Sequence, residues 1–85
     1  MAFGVSMKIN GREFTFQIAS DIERGGIGVE VNEHVDGTRF FVAEIFRNDS
    51  KKQIEFYSEK SELPYVVILK LQEFFGAEIP KEYDE

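Results

Sequence analysis

Residues 61–80, SELPYVVILKLQEFFGAEIP, carry the only helical period in the chain, and the fold class turns on them. At 3.6 residues per turn, Leu63, Val67, Ile68, Leu71, Phe74 and Phe75 share one side and form a packing face. Ser61 is the expected N-cap. Glu62 follows in the first turn, where free backbone N–H groups favour a carboxylate and Pro64 is tolerated. Gly76 is expected at the left-handed C′ position, and Pro80 blocks continuation. VVIL alone would suit a strand, but LKLQEFF continues the helical period without alternating. Tyr65, Val66 and Leu69 lie opposite the packing face, beside Lys70, Gln72 and Glu73. That is more apolar surface than a simple lid requires.

The chain before this helix reads as strands and turns. Phe3, Val5, Met7 and Ile9 alternate with small or polar residues, Asn10-Gly11 interrupts, and Phe14, Phe16 and Ile18 resume the alternation. Asn-Gly between alternating runs signals a two-residue type I′ hairpin. The expected register sets Met7 against Phe14, Val5 against Phe16, Phe3 against Ile18, and Lys8 against Glu13 on the other face. Residues 19–26 read as a connector, with Ile22 tucking into the core. A third run places Ile27, Val29 and Val31 inward and Gly28, Glu30 and Asn32 outward. At Asp36-Gly37 a two-residue loop would set Val29 against Glu44. A three-residue loop with a Gly37 bulge gives Val31–Phe41, Val29–Ala43, Ile27–Ile45 and Glu33–Arg39, and is the expected form.

The fourth run, RFFVAEIFR, is apolar on both sides. Phe41, Ala43 and Ile45 are assigned to the inner face, and Phe40, Val42 and Phe46 to the outer one. One helix covers one face, so the outer residues form a candidate interface, which Phe46→Asp should disrupt without unfolding the chain. In the last run Ile54 and Phe56 face inward and Tyr57 outward. A two-residue loop pairing Ala43 with Ile54 and Phe41 with Phe56 is expected, because a four-residue alternative opposes Glu44 and Glu55. The fold class is therefore α+β: a five-stranded antiparallel sheet in two hairpin-linked blocks, with one C-terminal helix on one face. Residues 1–80 form a single domain and 81–85 an acidic tail.

Eighty-five residues with 42% hydrophobic content and nine Phe can bury a core, though a small one. Without cysteine there is no disulfide framework and no thiolate metal site. No run is long and apolar enough to span a membrane, and the N-terminus lacks a signal peptide's basic and apolar segments; a cytoplasmic location is expected. The formal charge is −6, with six acidic and two basic residues in each of 21–46 and 61–85. Such a chain repels phosphate, which disfavours nucleic acid as a partner.

Chemistry-bearing constellations are sparse. His34, the single histidine, flanked by Glu33 and Asp36, lacks a second strong metal ligand. Arg24-Gly25-Gly26 is one RGG element beside Asp21 and Glu23, and reads as a flexible turn. Glu44 and Glu55 point from neighbouring strands to one face and could form an acid–base pair only inside a pocket. Neither a phosphate-binding glycine loop nor a nucleophile with a base is present, so no cofactor is implied. Phe40, Phe46 and Tyr57 could stack bases, with Lys8, Arg39 and Arg47 on phosphates, but Glu13, Glu30, Glu44 and Glu55 share that side. The same acidic face could instead imitate nucleic acid.

What remains is an excess of apolar surface. Phe40, Val42, Phe46, Tyr57, Tyr65, Val66 and Leu69 are the candidate interface of a non-catalytic protein-binding module: a small regulator, inhibitor or assembly subunit. A homodimer is the favoured assembly, because a symmetric contact enlarges a small core. A nucleic-acid-binding or nucleic-acid-mimicking domain, or a small enzyme using paired carboxylates, are the alternatives.

Overall fold

The computed structural model describes residues 4–59 and 62–83. Asn10 and Gly11 both take positive φ, 50° and 79°, as a type I′ turn requires. They join β1 (Val5–Ile9) to β2 (Arg12–Asp21) in the expected register, with Val5 opposite Phe16, Met7 opposite Phe14 and Lys8 opposite Glu13. The Phe3–Ile18 pairing falls outside the described residues. β2 continues through Ala19 and Ser20 to Asp21, which pairs with Gly26, so the connector shortens to 22–25. Asp21 closes this turn twice. Its carbonyl accepts the Gly25 N–H at 2.8 Å and its carboxylate the Arg24 N–H at 3.1 Å, an Asx-type turn. Ile22, expected in the core, stands 95% exposed at the tip.

The link between β3 (Gly26–Val35) and β4 (Thr38–Asn48) departs from the three-residue loop. Asp36 and Gly37 have φ of 51° and 80°, and Val35 pairs directly with Thr38: a two-residue type I′ turn. Continued unbroken, that register would oppose Val29 and Glu44. A bulge prevents it. Asn32 pairs with Phe41 and Val31 with Ala43, leaving Val42 as the extra residue. Beyond the bulge Val29 faces Ile45, Ile27 faces Arg47 and, before it, Glu33 faces Phe40. The turn keeps its preferred dipeptide and the core its apolar pairs, through one inserted residue.

β5 (Gln53–Ser58) adopts neither of the two registers considered. Asn48 pairs with Gln53, Arg47 with Ile54, Ile45 with Phe56 and Ala43 with Ser58. A four-residue loop, 49–52, closes through the Asn48 side-chain oxygen, which accepts the Lys51 N–H at 3.0 Å. Glu44 meets Tyr57 across the strands, so the two glutamates avoid direct opposition.

The five strands form one antiparallel sheet in chain order, and α1 (Tyr65–Glu78) packs across β2, β3 and β4. The helix begins later than expected. Pro64 is the N-cap, with φ −56° and ψ 135°, because the residue before a proline resists helical geometry; Ser61 lies outside the described residues. Gly76 stays inside the helix and Ile79 is the C-cap, its N–H donating to the Phe75 carbonyl at 3.0 Å. Val67, Leu71, Phe74, Phe75 and Ile79 close over Phe14, Phe16, Val29, Val31, Val42 and Ala43. Leu63 and Ile68, expected on the same stripe, are half-buried at its margin. The far end of the helix is fastened by buried Arg47, which donates to the Pro80 carbonyl at 2.7 Å and to Asp49 at 2.8 Å.

Candidate interaction surface

On the outer face of the sheet, Phe46 is covered by the chain itself. Phe46, assigned to an exposed interface, is 1% exposed. Two glycines of β3 make room for it. A Cβ on Gly26 would lie 2.0 Å from the Arg47 carbonyl oxygen and 2.7 Å from the Phe46 ring, and one on Gly28 would lie 2.3 Å from the Ile45 carbonyl oxygen. The ring rests on bare backbone and is roofed by Arg24, whose guanidinium carbon sits 3.9 Å above its centroid, a cation–π contact. Arg24 is held there by Nε donating to Asp21 at 2.8 Å and by Nη1 and Nη2 donating to Glu44 at 2.7 and 3.2 Å. With both carboxylates engaged, the Arg24 pKa is raised further. Val42, the other outer residue named with Phe46, is fully buried in the helix-side core through the bulge. Both residues are structural, and both assignments to the interface are corrected.

The same bonds answer several chemical possibilities. The Arg24 guanidinium is committed to Asp21 and Glu44, and Arg47 is buried against Asp49 and Pro80, so neither offers itself to phosphate. His34 Nε2 lies 2.8 Å from the Thr15 hydroxyl, and Glu33 is paired with Arg12 at 2.8 and 3.0 Å. Among the described residues no group of three or more His, Asp or Glu side chains is placed to hold a metal. Glu44 and Glu55 do line one open hollow of about 430 Å³ with Arg24, Phe41 and Tyr57. Bonds from Gln53 at 2.6 Å and from Asn48 hold the Glu55 carboxyl below the usual carboxylate range. A general acid needs the opposite shift. Glu30, facing Glu44 from β3, is pushed up, by burial first and by the Glu44 charge second.

The open apolar surface lies at β5. Ile54 and Phe56 face the helix side, opposite Arg47 and Ile45, yet are 47% and 56% exposed where burial was expected. The cause is width. A helix about 10–12 Å across spans roughly two spacings of about 4.8 Å, so a lid over β2–β4 stops short of the edge strand. Between them runs an open trough of about 330 Å³, lined by Ile45, Ile54, Phe56, Ile68 and Gln72, with Glu55 at its rim. Tyr65, Ile68, Leu69 and Gln72 share one sector of the helix at 100° per residue, so the apolar surface climbs from the trough along α1. Tyr65 and Leu69 are exposed there as expected.

The remaining named residues do not join this strip. Val66 is exposed further round the helix. Phe40 is half-exposed beside Val35, Phe41 and Glu59 around a separate hollow of about 400 Å³. Tyr57 points to the outer face, where its ring stacks on Phe41 with centroids 6.0 Å apart and planes 13° apart, and its hydroxyl donates to Glu59. Ile54 and Phe56 were missed as surface residues, although the mismatch between one helix and five strands was present in the sequence.

Comparison with protein-family models, with curated proteins and with solved structures finds no match for the chain. Among the described residues no helix is long and apolar enough to cross a membrane. Over the described residues the fold is a five-stranded antiparallel meander with a helical lid over β2–β4 and exposed apolar side chains on β5.

Proposed function

We propose that the chain is a non-catalytic protein-binding module, a small regulator, inhibitor or assembly subunit of the cytoplasm, which binds through β5 and the adjoining side of α1. The observation that carries this is the exposure of Ile54 and Phe56 side by side on an edge strand, above an apolar trough. Contiguous exposed apolar surface of this kind usually serves an interface, and an edge strand adds unpaired backbone groups able to bind another chain. The net charge of −6 and the internal pairing of Arg24 and Arg47 favour protein over nucleic acid as the partner.

A photo-crosslinking residue at position 56, compared with one at the solvent-facing Glu23, tests the proposal in cells. A discrete adduct is expected from position 56 alone, with a partner that binds the purified chain and binds its Phe56→Asp variant at least about ten-fold less, the scale of a lost hot spot. Absence of an adduct at 56, or equal adducts from both positions, would refute it.

A further inference from the structure

We propose that the outer-face hollow beside Arg24 is a guanidinium-binding site, formed by Glu44, Glu55, Phe41 and Tyr57, which takes an arginine side chain of a protein partner. The site lies on the opposite face of the sheet from the apolar strip. Only the choice of a protein as the source of the arginine rests on the protein-binding proposal.

The chain itself shows twice how it holds a guanidinium. Arg24 lies 3.9 Å above the Phe46 centroid, and its Nη1 and Nη2 donate to Glu44 at 2.7 and 3.2 Å. Arg12 lies 5.1 Å from the Phe14 centroid, and its Nε and Nη2 donate to Glu33 at 2.8 and 3.0 Å. Each unit is a carboxylate bonded in a fork beside an aromatic ring. That pairing suits a planar, weakly hydrated cation better than a compact ammonium.

Strand register assembles the same parts a third time. Glu44 pairs with Tyr57, and Phe46 with Glu55, across β4 and β5, so these side chains share the outer face. The bulge at Val42 turns Phe41 onto that face as well. The Phe41 and Tyr57 rings, 6.0 Å apart at 13°, supply the aromatic wall. The hollow of about 430 Å³ lies between them, Arg24, Glu44 and Glu55, in the size range of small-ligand pockets. Among the described residues, Glu55 accepts hydrogen bonds from the neutral amides of Gln53 and Asn48, at 2.6 and 3.3 Å.

Charge on this face also favours a cation. Arg24 is already matched by Asp21 and Glu44. The Gln53 and Asn48 amides hold the Glu55 carboxyl below the usual carboxylate range, so it is ionised at neutral pH. Glu30 stands opposite Glu44, and its carboxyl is pushed up by burial first and by the Glu44 charge second. Negative potential here is therefore not fully offset from within the chain. A metal ion is the poorer match, because no three ligating side chains converge among the described residues.

Titration of N-acetyl-arginine amide into the isotope-labelled full chain, followed by NMR, tests the site. Shifts are expected at Phe41, Glu55 and Tyr57. Binding is expected to be at least about ten-fold tighter than for N-acetyl-citrulline amide, which keeps the shape and lacks the charge. N-acetyl-lysine amide, which has the charge without the fork, is expected to bind more weakly than the arginine probe. Glu55→Gln and Tyr57→Leu change side chains at the rim and on an exposed wall, and each should weaken the arginine probe at least about three-fold with circular dichroism unchanged. Equal affinity for the arginine probe and either analogue overturns the proposal, and so does unchanged binding by folded Glu55→Gln. An adduct from position 56 without arginine binding overturns this site and leaves the protein-binding proposal standing.

Discussion

Arg24 and Phe46 illustrate how much of a surface one side chain can close. Phe46 fits against Gly26 and Gly28, and Arg24 covers it while joining Asp21 to the largely buried Glu44. Phe46→Asp is consequently expected to unfold the chain, the reverse of its expected effect as an interface residue. Circular dichroism and urea titration decide between the two. The sequence does contain the signal, since Gly26 and Gly28 alternate onto the face that Phe46 shares, but glycines read as turn residues until the pairing is known. Glu30 supplies a test with a pH signature. Its pKa is raised in the fold above an ordinary value of 4.5, so the ionised form works against folding. Glu30→Gln should therefore stabilise the protein at pH 7, and the gain should fade as pH falls through the raised pKa toward 4.5. Urea midpoints at pH 7 and pH 4 measure both parts; equal gains at the two values would contradict the burial of this charge.

At the scale of elements, the first hairpin was legible in full over the described residues, because Asn10-Gly11 and four alternating apolar residues constrain one register. The second was not. Its turn dipeptide and its core pairs demand registers one residue apart, and the chain satisfies both with the bulge at Val42. That bulge moves Val42 into the core and turns Phe41 outward onto Tyr57, which overturns the face assignments made from strict alternation. The helix was legible in its buried stripe and begins later than its sequence suggests, with Pro64 as the N-cap. Leu71, fully buried in that stripe, should lose about 2–5 kcal/mol on substitution by Ala. Phe56→Asp, on the open strand, should change the stability of the single chain by less than about 0.5 kcal/mol. Denaturation at the lowest usable concentration separates these from any effect of association. A large loss at Phe56 would place β5 in the core and remove the proposed surface.

For the whole molecule, composition and the count of elements anticipated a five-stranded sheet with one helix. They also anticipated an excess of apolar residues, though not where the excess lies. Much of it is consumed internally, by Val42 in the bulge and by Phe46 beneath Arg24. What stays open is set by width, since a single lid over β2–β4 leaves β5 bare. A protein partner bound along that edge would cover Ile54 and Phe56. Photo-crosslinking in cells from position 56, set against the solvent-facing position of Glu23, tests this most directly. A discrete adduct from position 56 alone is predicted; no adduct there, or equal adducts from both positions, would contradict it.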